Sequence, residues 1–298
     1  MAEAVISLDG IVKSYGRNKV LKGVDMTVRR GDIYGLIGKN GAGKTTLFKV
    51  VLGLSSYESG RLSILGGGNS TENNENRHHI GFFVGANFFG YLSGRANLDY
   101  FRRVKGIADK KEIDRVLEIV GLDKKAAAAQ VKRYSLGMRQ RLGIANALLG
   151  SPDILILDEP ANGLDPQGIL DVRNIITKLN KEYGKTIIVS SHILSELEHT
   201  AHRFGIVHEG IIMREMSEEQ MKIKGGYADI RIEGSDLEKA KKLLSDGGVK
   251  ISSIEQATTS LEDFYFDLVG SADEGSGTAP GSTGNPAVKA SGRGGDKK

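Results

Sequence analysis

A glycine-rich segment near the start of the chain has the residue types and spacing of a phosphate-binding loop. Two glycines separated by four residues precede a lysine and a threonine in Gly38-Lys39-Asn40-Gly41-Ala42-Gly43-Lys44-Thr45, and Thr46 follows. Glycines let successive backbone N–H groups converge on phosphate oxygens, and the helix expected to begin here adds partial positive charge. This segment, including Thr46, is therefore predicted to bind ATP. A plain turn between a strand and a helix is the alternative.

Four side chains are expected to act on the nucleotide and its metal. Lys44 is predicted to reach the β- and γ-phosphates, and the Thr45 hydroxyl to ligate Mg²⁺. The apolar run 154–157 ends in Asp158 and Glu159, which predicts a buried strand that delivers two carboxylates to the ligand-binding edge of an α/β sheet. Asp158 is predicted to hold Mg²⁺ through water, and Glu159 to act as general base on the attacking water. The alternative is an ordinary strand end before Pro160.

The surrounding elements alternate between strand and helix. Residues 5–8 and 24–28 alternate apolar with polar or small residues, as in a half-buried antiparallel sheet, whereas 33–37, 154–157 and 186–190 are typical of buried strands. Buried strands separated by helices predict an α/β fold with a mostly parallel core sheet.

The remaining segments suggest a division of the chain. Residues 1–216 are predicted to form the main domain, with a helical subdomain at about 93–150 and a surface loop at 66–79. A small α+β appendage is predicted for 217–269, with a strand at 227–232 and a helix at 237–244. The glycine-, serine- and charge-rich tail, 270–298, is predicted to be disordered.

Composition limits the classes of function. The chain has no cysteine, which excludes disulfides and cysteine-based metal sites. Its net charge of +4 is too small and too evenly spread to indicate a nucleic-acid partner. No signal peptide is evident, and no apolar stretch approaches the roughly 20 residues of a membrane helix, so a membrane role is expected to depend on a partner.

A third motif identifies a family. Between the loop and the acidic pair lies Tyr134-Ser135-Leu136-Gly137-Met138, followed by Arg139-Gln140-Arg141-Leu142. It resembles the signature motif of ATP-binding cassette (ABC) ATPases, Leu-Ser-Gly-Gly-Gln, matching at Ser135 and Gly137 and departing at the other three positions. This version is similar to that of the bacitracin- and lantibiotic-resistance exporters. The resemblance implies a P-loop NTPase fold with a mostly parallel core sheet, an N-terminal antiparallel β-subdomain and a helical signature subdomain.

The same resemblance implies roles for further residues. Two cassettes would pair head to tail, as a homodimer or with another cassette, and Ser135 and Gly137 would contact the ATP held by the partner. Tyr15 would stack on adenine, and His192 would contact the γ-phosphate, as a catalytic residue beside Glu159 and Lys44. Ordinary packing of Tyr15 and a structural role for His192 are the alternatives.

The family pattern breaks after the strand at 80–84. Gly85 aligns with a glutamine or glutamate of relatives and offers no side-chain ligand, so Asn87 or water is expected to replace it. This departure puts in doubt how tightly hydrolysis is coupled to a membrane partner. The apolar stretch 88–92 is either core or a patch that receives such a partner.

The resemblance implies a transport function. The chain is expected to lie in the cytoplasm on the inner face of the cell membrane, where it would drive separate multi-span permease subunits, more specifically those of an exporter. A soluble ABC ATPase of cofactor assembly and a regulatory cassette with weak turnover are the alternatives. The cargo is not encoded in this chain.

Overall fold

The computed structural model describes residues 3–85, 88–223, 232, 234–249 and 251. The chain divides into two compact units, Met1–Gly226 and Tyr227–Lys298. In the described part of the first unit, the strands are β1 (Ala4–Tyr15), β2 (Asn18–Arg29), β3 (Ile33–Ile37), β4 (Ser59–Ile64), β5 (Ile80–Val84), β6 (Ile154–Asp158), β7 (Thr186–Ser191), β8 (Arg203–His208) and β9 (Ile211–Ser217). Its helices are α1 (Lys44–Val51), α2 (Ser70–Asn76), α3 (Gly94–Val104), α4 (Lys111–Ile119), α5 (Lys124–Ala128), α6 (Leu136–Leu148), α7 (Pro166–Lys181), α8 (Leu194–Glu198) and α9 (Glu218–Ile223).

A three-stranded antiparallel sheet, in the order β2-β1-β4, forms one layer. Ile6 pairs with Val28 on one side and with Ile64 on the other, and all three side chains are buried. The alternation of apolar and polar residues predicted β1 and β2, whereas β4 was missed because its first half is exposed and polar.

The central sheet has the order β5-β6-β7-β3-β8-β9 and is parallel except for β9, which runs antiparallel to β8. All residues of β3 and β7 are buried, as the continuous apolar runs predicted for strands covered on both faces. The predicted α/β fold with a mostly parallel core sheet is confirmed. The carboxyl ends of β3, β6 and β7 meet at one edge, where the phosphate loop and the acidic pair lie.

Helices α3 to α6 occupy 94–148, within the segment predicted to be helical. Helix α6 lies against β5, where Phe83 packs on Gly143 and a Cβ at Gly81 would overlap the carbonyl oxygen of Ala147. Glycines at these two positions therefore allow the helix and the strand to approach closely.

The predicted surface loop at 66–79 is wrong. It contains α2, whose N-terminus is capped by Asn69, because Oδ1 of this residue accepts a hydrogen bond from the backbone N of Glu72. Asn73 is buried and bonds to the backbone of β4, accepting from Ile64 N and donating to Leu62 O. Polar residues that indicated a loop thus act as a helix cap and as backbone partners.

The first unit extends past the predicted boundary at 216 and includes α9. In the second unit, a helix predicted at 237–244 is present as α10 (Leu237–Asp246). Most of the predicted strand at 227–232, the rest of the appendage beyond 251 and the tail at 270–298 lie outside the described residues.

Candidate nucleotide-binding site

The glycine-rich loop joins β3 to α1 in a conformation that requires its glycines. Gly41 and Gly43 have φ angles of +82° and +111°, a region that other residues rarely adopt. A Cβ at Gly38 would lie 2.6 Å from the carbonyl oxygen of Val207. The loop ends where α1 begins at Lys44, which directs the free N–H groups of the first helical turn toward it.

Lys44 is only 4% exposed, and its Nζ faces oxygen atoms. It donates to Gly38 O at 2.5 Å and to Lys39 O at 3.3 Å, and it lies 3.2 Å from Oε1 of Glu159. A buried ammonium requires such partners. This ion pair joins the lysine of the phosphate loop directly to the carboxylate that follows β6.

Thr45 and Asp158 form the second link between the loop and β6. Thr45 Oγ1 donates to Asp158 Oδ2 at 2.7 Å. Ser190 Oγ donates to Asp158 Oδ1 at 2.6 Å and accepts from Glu159 N at 2.9 Å. Asp158 and Ser190 are partners in the parallel register of β6 and β7. Sequence reasoning missed Ser190, although a hydroxyl at the carboxyl end of a buried strand, two positions before His192, was a usable signal.

Glu159 adopts a strained backbone conformation with φ of +48°. For a residue with a side chain this costs about 1–3 kcal/mol, and such strain is concentrated at functional sites. Asn162 Nδ2 donates to Glu159 Oε2 at 3.2 Å, and Nδ1 of His192 lies 3.4 Å from the same oxygen without hydrogen-bond geometry. The carboxylate of Glu159 is therefore surrounded by Lys44, Asn162 and His192.

Tyr15 ends β1 with its side chain 48% exposed. Its hydroxyl lies 3.3 Å from Ser55 Oγ, and Lys13 Nζ lies 5.0 Å from the centre of its ring. An exposed aromatic ring can offer a face to a base, but no described contact joins Tyr15 to the phosphate loop.

Ser135 and Gly137 lie at the N-terminus of α6. Ser135 caps the helix by accepting from Met138 N at 3.2 Å, and a Cβ at Gly137 would lie 3.8 Å from Leu164. In the described part of the chain, no hydrogen bond or ion pair joins Ser135 or Gly137 to the loop 38–45. The structure thus brings Lys44, Thr45, Asp158, Glu159 and His192 together, and the signature residues are not among them.

Gly85 follows β5 with φ of +72°, and a Cβ there would meet no atom within 4 Å. The proposed substitute, Asn87, lies outside the described residues. In the adjoining apolar stretch, Phe89 packs on Tyr100 and Phe101, whereas Tyr91 is 66% exposed. The stretch is therefore partly packed and partly a surface patch.

Comparison with known proteins decides the family. The model of the ABC transporter family matches residues 21–162. The bacitracin transport ATP-binding protein BcrA of Bacillus licheniformis is 37% identical in an alignment that covers 89% of this chain and 97% of that protein. This chain belongs to the ATP-binding cassette family. The lantibiotic transport ATP-binding protein SrtF of Streptococcus pyogenes is 41% identical. That alignment covers 71% of this chain and 90% of SrtF.

Solved structures agree with this assignment. A dimeric bacterial ABC transporter cassette is 25% identical, with a TM-score of 0.63. The match covers 72% of this chain and 98% of that cassette. An ATP-binding subunit of an ABC transporter is 26% identical, with a TM-score of 0.65. The match covers 81% of this chain and 99% of that subunit. The predicted family, fold and branch are confirmed, and the cassette is an ATPase. None of the helices in the described residues is long and apolar enough to span a bilayer.

Proposed function

We propose that this cassette energises an exporter of peptide antibiotics of the bacitracin or lantibiotic class. The proposal is supported by relatives named for the transport of these compounds, one of which matches nearly the whole chain. The structural observation that carries its ATPase part is the contact of the loop residues with the acidic pair, through Thr45–Asp158 at 2.7 Å and Lys44–Glu159 at 3.2 Å.

The loop binds the phosphates of ATP, and Mg²⁺ is held beside it. Backbone N–H groups of 38–46 and the Lys44 ammonium would bind the β- and γ-phosphates. Thr45 Oγ1 and Asp158 Oδ2 are the hard oxygen donors that Mg²⁺ prefers. No cluster of three or more acidic or histidine residues that could hold a metal occurs among the described residues, which fits an ion that keeps phosphate and water ligands. The bound ion would neutralise charge on the phosphates.

Glu159 supplies the base for hydrolysis. Its carboxylate accepts the proton of the water that attacks the γ-phosphorus, and the bond to the bridging oxygen of ADP breaks. Asn162 and Lys44 hold its two oxygens in place. His192, whose Nδ1 lies 3.4 Å from Glu159 Oε2, would contact the γ-phosphate as charge develops.

Two cassettes complete the site. The N-terminus of α6, with Ser135 and Gly137, would bind the γ-phosphate held by a second copy through the partial positive charge of the helix. A relative of the same fold is dimeric. Tyr15 would stack on the adenine ring.

Separate membrane subunits carry the cargo. The cassette would bind them from the cytoplasmic face of the membrane, through the apolar surface that includes Tyr91. Gly85 supplies no side-chain oxygen at the adjoining loop, so Asn87 or water would complete the metal shell there.

The test combines turnover with antibiotic sensitivity. The full chain is expressed in a bacitracin- and lantibiotic-sensitive bacterium with the multi-span proteins that copurify with it from membranes of its source cell. We expect wild type, but not Glu159→Gln, to raise resistance to one of the two peptides. Mg²⁺-dependent hydrolysis without any change in resistance would contradict the cargo class, and copurification with soluble proteins alone would favour the cofactor-assembly alternative.

A further inference from the structure

The hydroxyl of Ser191 makes two hydrogen bonds to residues that follow His192 in the chain. Ser191, the last residue of β7, is buried, and its Oγ accepts from Ile193 N at 2.9 Å and donates to Oε2 of Glu196. An ionised carboxylate can only accept, and a serine hydroxyl has a single proton, so the direction of both bonds is determined. This hydroxyl thereby holds Ser191 and Ile193, the two neighbours of His192, in a fixed arrangement.

Ser191 is also bound to the phosphate loop. Its carbonyl oxygen accepts from Gly38 N at 3.2 Å, and it is the register partner of Ile37 in the parallel pairing of β3 and β7. A shift of Ser191 would therefore change the position of His192 relative to the loop as well as to Glu159.

Helix α8, which carries Glu196, is held to the core mainly at its far end. Leu197 is buried and lies close to Gly35, whereas Ile193 and Leu194 are 41% and 65% exposed. No side chain caps the N-terminus of this five-residue helix. The end that adjoins His192 thus depends on the bond between Ser191 and Glu196 for its position.

We propose that Glu196 is a positioning residue for His192. By accepting the hydrogen bond of Ser191, it fixes the turn that places His192 Nδ1 3.4 Å from Glu159 Oε2. In the described contacts its carboxylate meets none of the site residues, so it acts through the turn and not on the nucleotide. The inference rests on the proposed role of His192 in hydrolysis.

The test compares steady-state hydrolysis by the purified full chain and five variants. We expect Glu196→Ala to lower kcat roughly tenfold, because small displacements of catalytic groups are costly, with little change in KM. Glu196→Gln should recover most of the activity, since its amide oxygen still accepts the bond. Ser191→Ala combined with Glu196→Ala should be no slower than Ser191→Ala alone, because both changes break one unit. Glu198→Ala, on the exposed face of the same helix, is the matched control and should equal wild type.

Two results would overturn the inference. One is a Glu196→Ala variant as active as the Glu198→Ala control. The other is a loss that the glutamine variant does not restore and that comes with equal losses of ATP affinity and thermal stability, which indicates a structural role only. His192→Ala is measured in parallel: normal turnover in that variant refutes the role of His192 itself, whereas its inactivity beside a fully active Glu196→Ala refutes only the present inference.

Discussion

The hydroxyl of Thr45 and the carboxylate of Asp158 are joined by a hydrogen bond of 2.7 Å, although the two residues lie 113 positions apart in the chain. Thr45 lies in the first turn of α1 and Asp158 ends β6, so the contact exists only because β3 and β6 reach the same edge of the central sheet. Ser190 holds the second carboxylate oxygen from the strand between them. An oxygen pair for a metal is thus created beside a loop for phosphates.

Replacing Glu159 by glutamine should separate binding from hydrolysis. The amide keeps the shape of the side chain but cannot accept a proton, so phosphate release should fall at least about a hundredfold, as expected for loss of a general base. ATP and Mg²⁺ should still bind, and size-exclusion chromatography should show an ATP-trapped dimer. Glu182→Gln, at the exposed end of α7, is the control. Turnover near the wild-type rate would refute the assignment of the base.

Replacing Lys44 by alanine should weaken nucleotide binding. Hydrogen bonds to charged groups contribute about 1.5–3 kcal/mol, so the dissociation constant for ATP should rise at least tenfold. Isothermal titration calorimetry measures this change. Lys49→Ala, an exposed lysine of the same helix, should bind as wild type does. An unchanged affinity in Lys44→Ala would refute the prediction that this loop binds the phosphates of ATP.

Replacing Ser190 by alanine should weaken the metal site without touching the loop. The change removes the donor to Asp158 Oδ1 and the acceptor for Glu159 N. We expect a higher Mg²⁺ concentration for half-maximal hydrolysis, read from a Mg²⁺ titration at saturating ATP. Ser195→Ala, an exposed serine of α8, is the matched control. Identical titration curves for the two variants would show that Ser190 does not position the acidic pair.

Replacing Gly81 by alanine should destabilise the contact between β5 and α6. The added Cβ would overlap the backbone oxygen of Ala147, which cannot rotate away, so the free energy of unfolding should fall by about 1–3 kcal/mol, as in overpacked cores. Urea denaturation measures the loss. Gly68→Ala, where the nearest atom would lie 3.7 Å away at the end of a flexible side chain, should cost far less. Equal stabilities would mean that the helix and strand can separate freely.

The stability of the fold should depend on pH through Lys105. Lys105 is exposed as a whole, but its ammonium donates to the carbonyl oxygens of Asn146 and Leu149, and desolvation there lowers its pKa from 10.5 to about 8. Between these values the unfolded chain binds more protons than the folded chain, so the contribution of Lys105 to the free energy of unfolding rises with pH. Urea denaturation of wild type and Lys105→Met should show a difference that shifts in favour of wild type from about pH 7.5 to about pH 10. With Lys111→Met as control, a pH-independent difference would contradict the lowered pKa of Lys105.

Local pattern was sufficient for part of the structure. The continuous apolar runs predicted β3, β6 and β7, because strands covered on both faces tolerate few polar residues. The polar segment 66–79 was wrongly predicted to be a loop, because Asn73 is buried and its amide bonds to the backbone of β4. A buried amide with a backbone partner cannot be told from a solvated one by residue type alone.

The sequence by itself determined the chemistry of the site: the spacing of Gly38, Gly43, Lys44 and Thr45, and the acidic pair after an apolar run, are local features of the chain. Tertiary structure alone decided that Ser190 binds both Asp158 and Glu159, and that the carbonyl oxygen of Ser191 accepts a hydrogen bond from Gly38 N of the phosphate loop. Such contacts depend on strand order and on the direction of each hydrogen bond. These follow from how the whole sheet packs, which no short stretch of residues specifies.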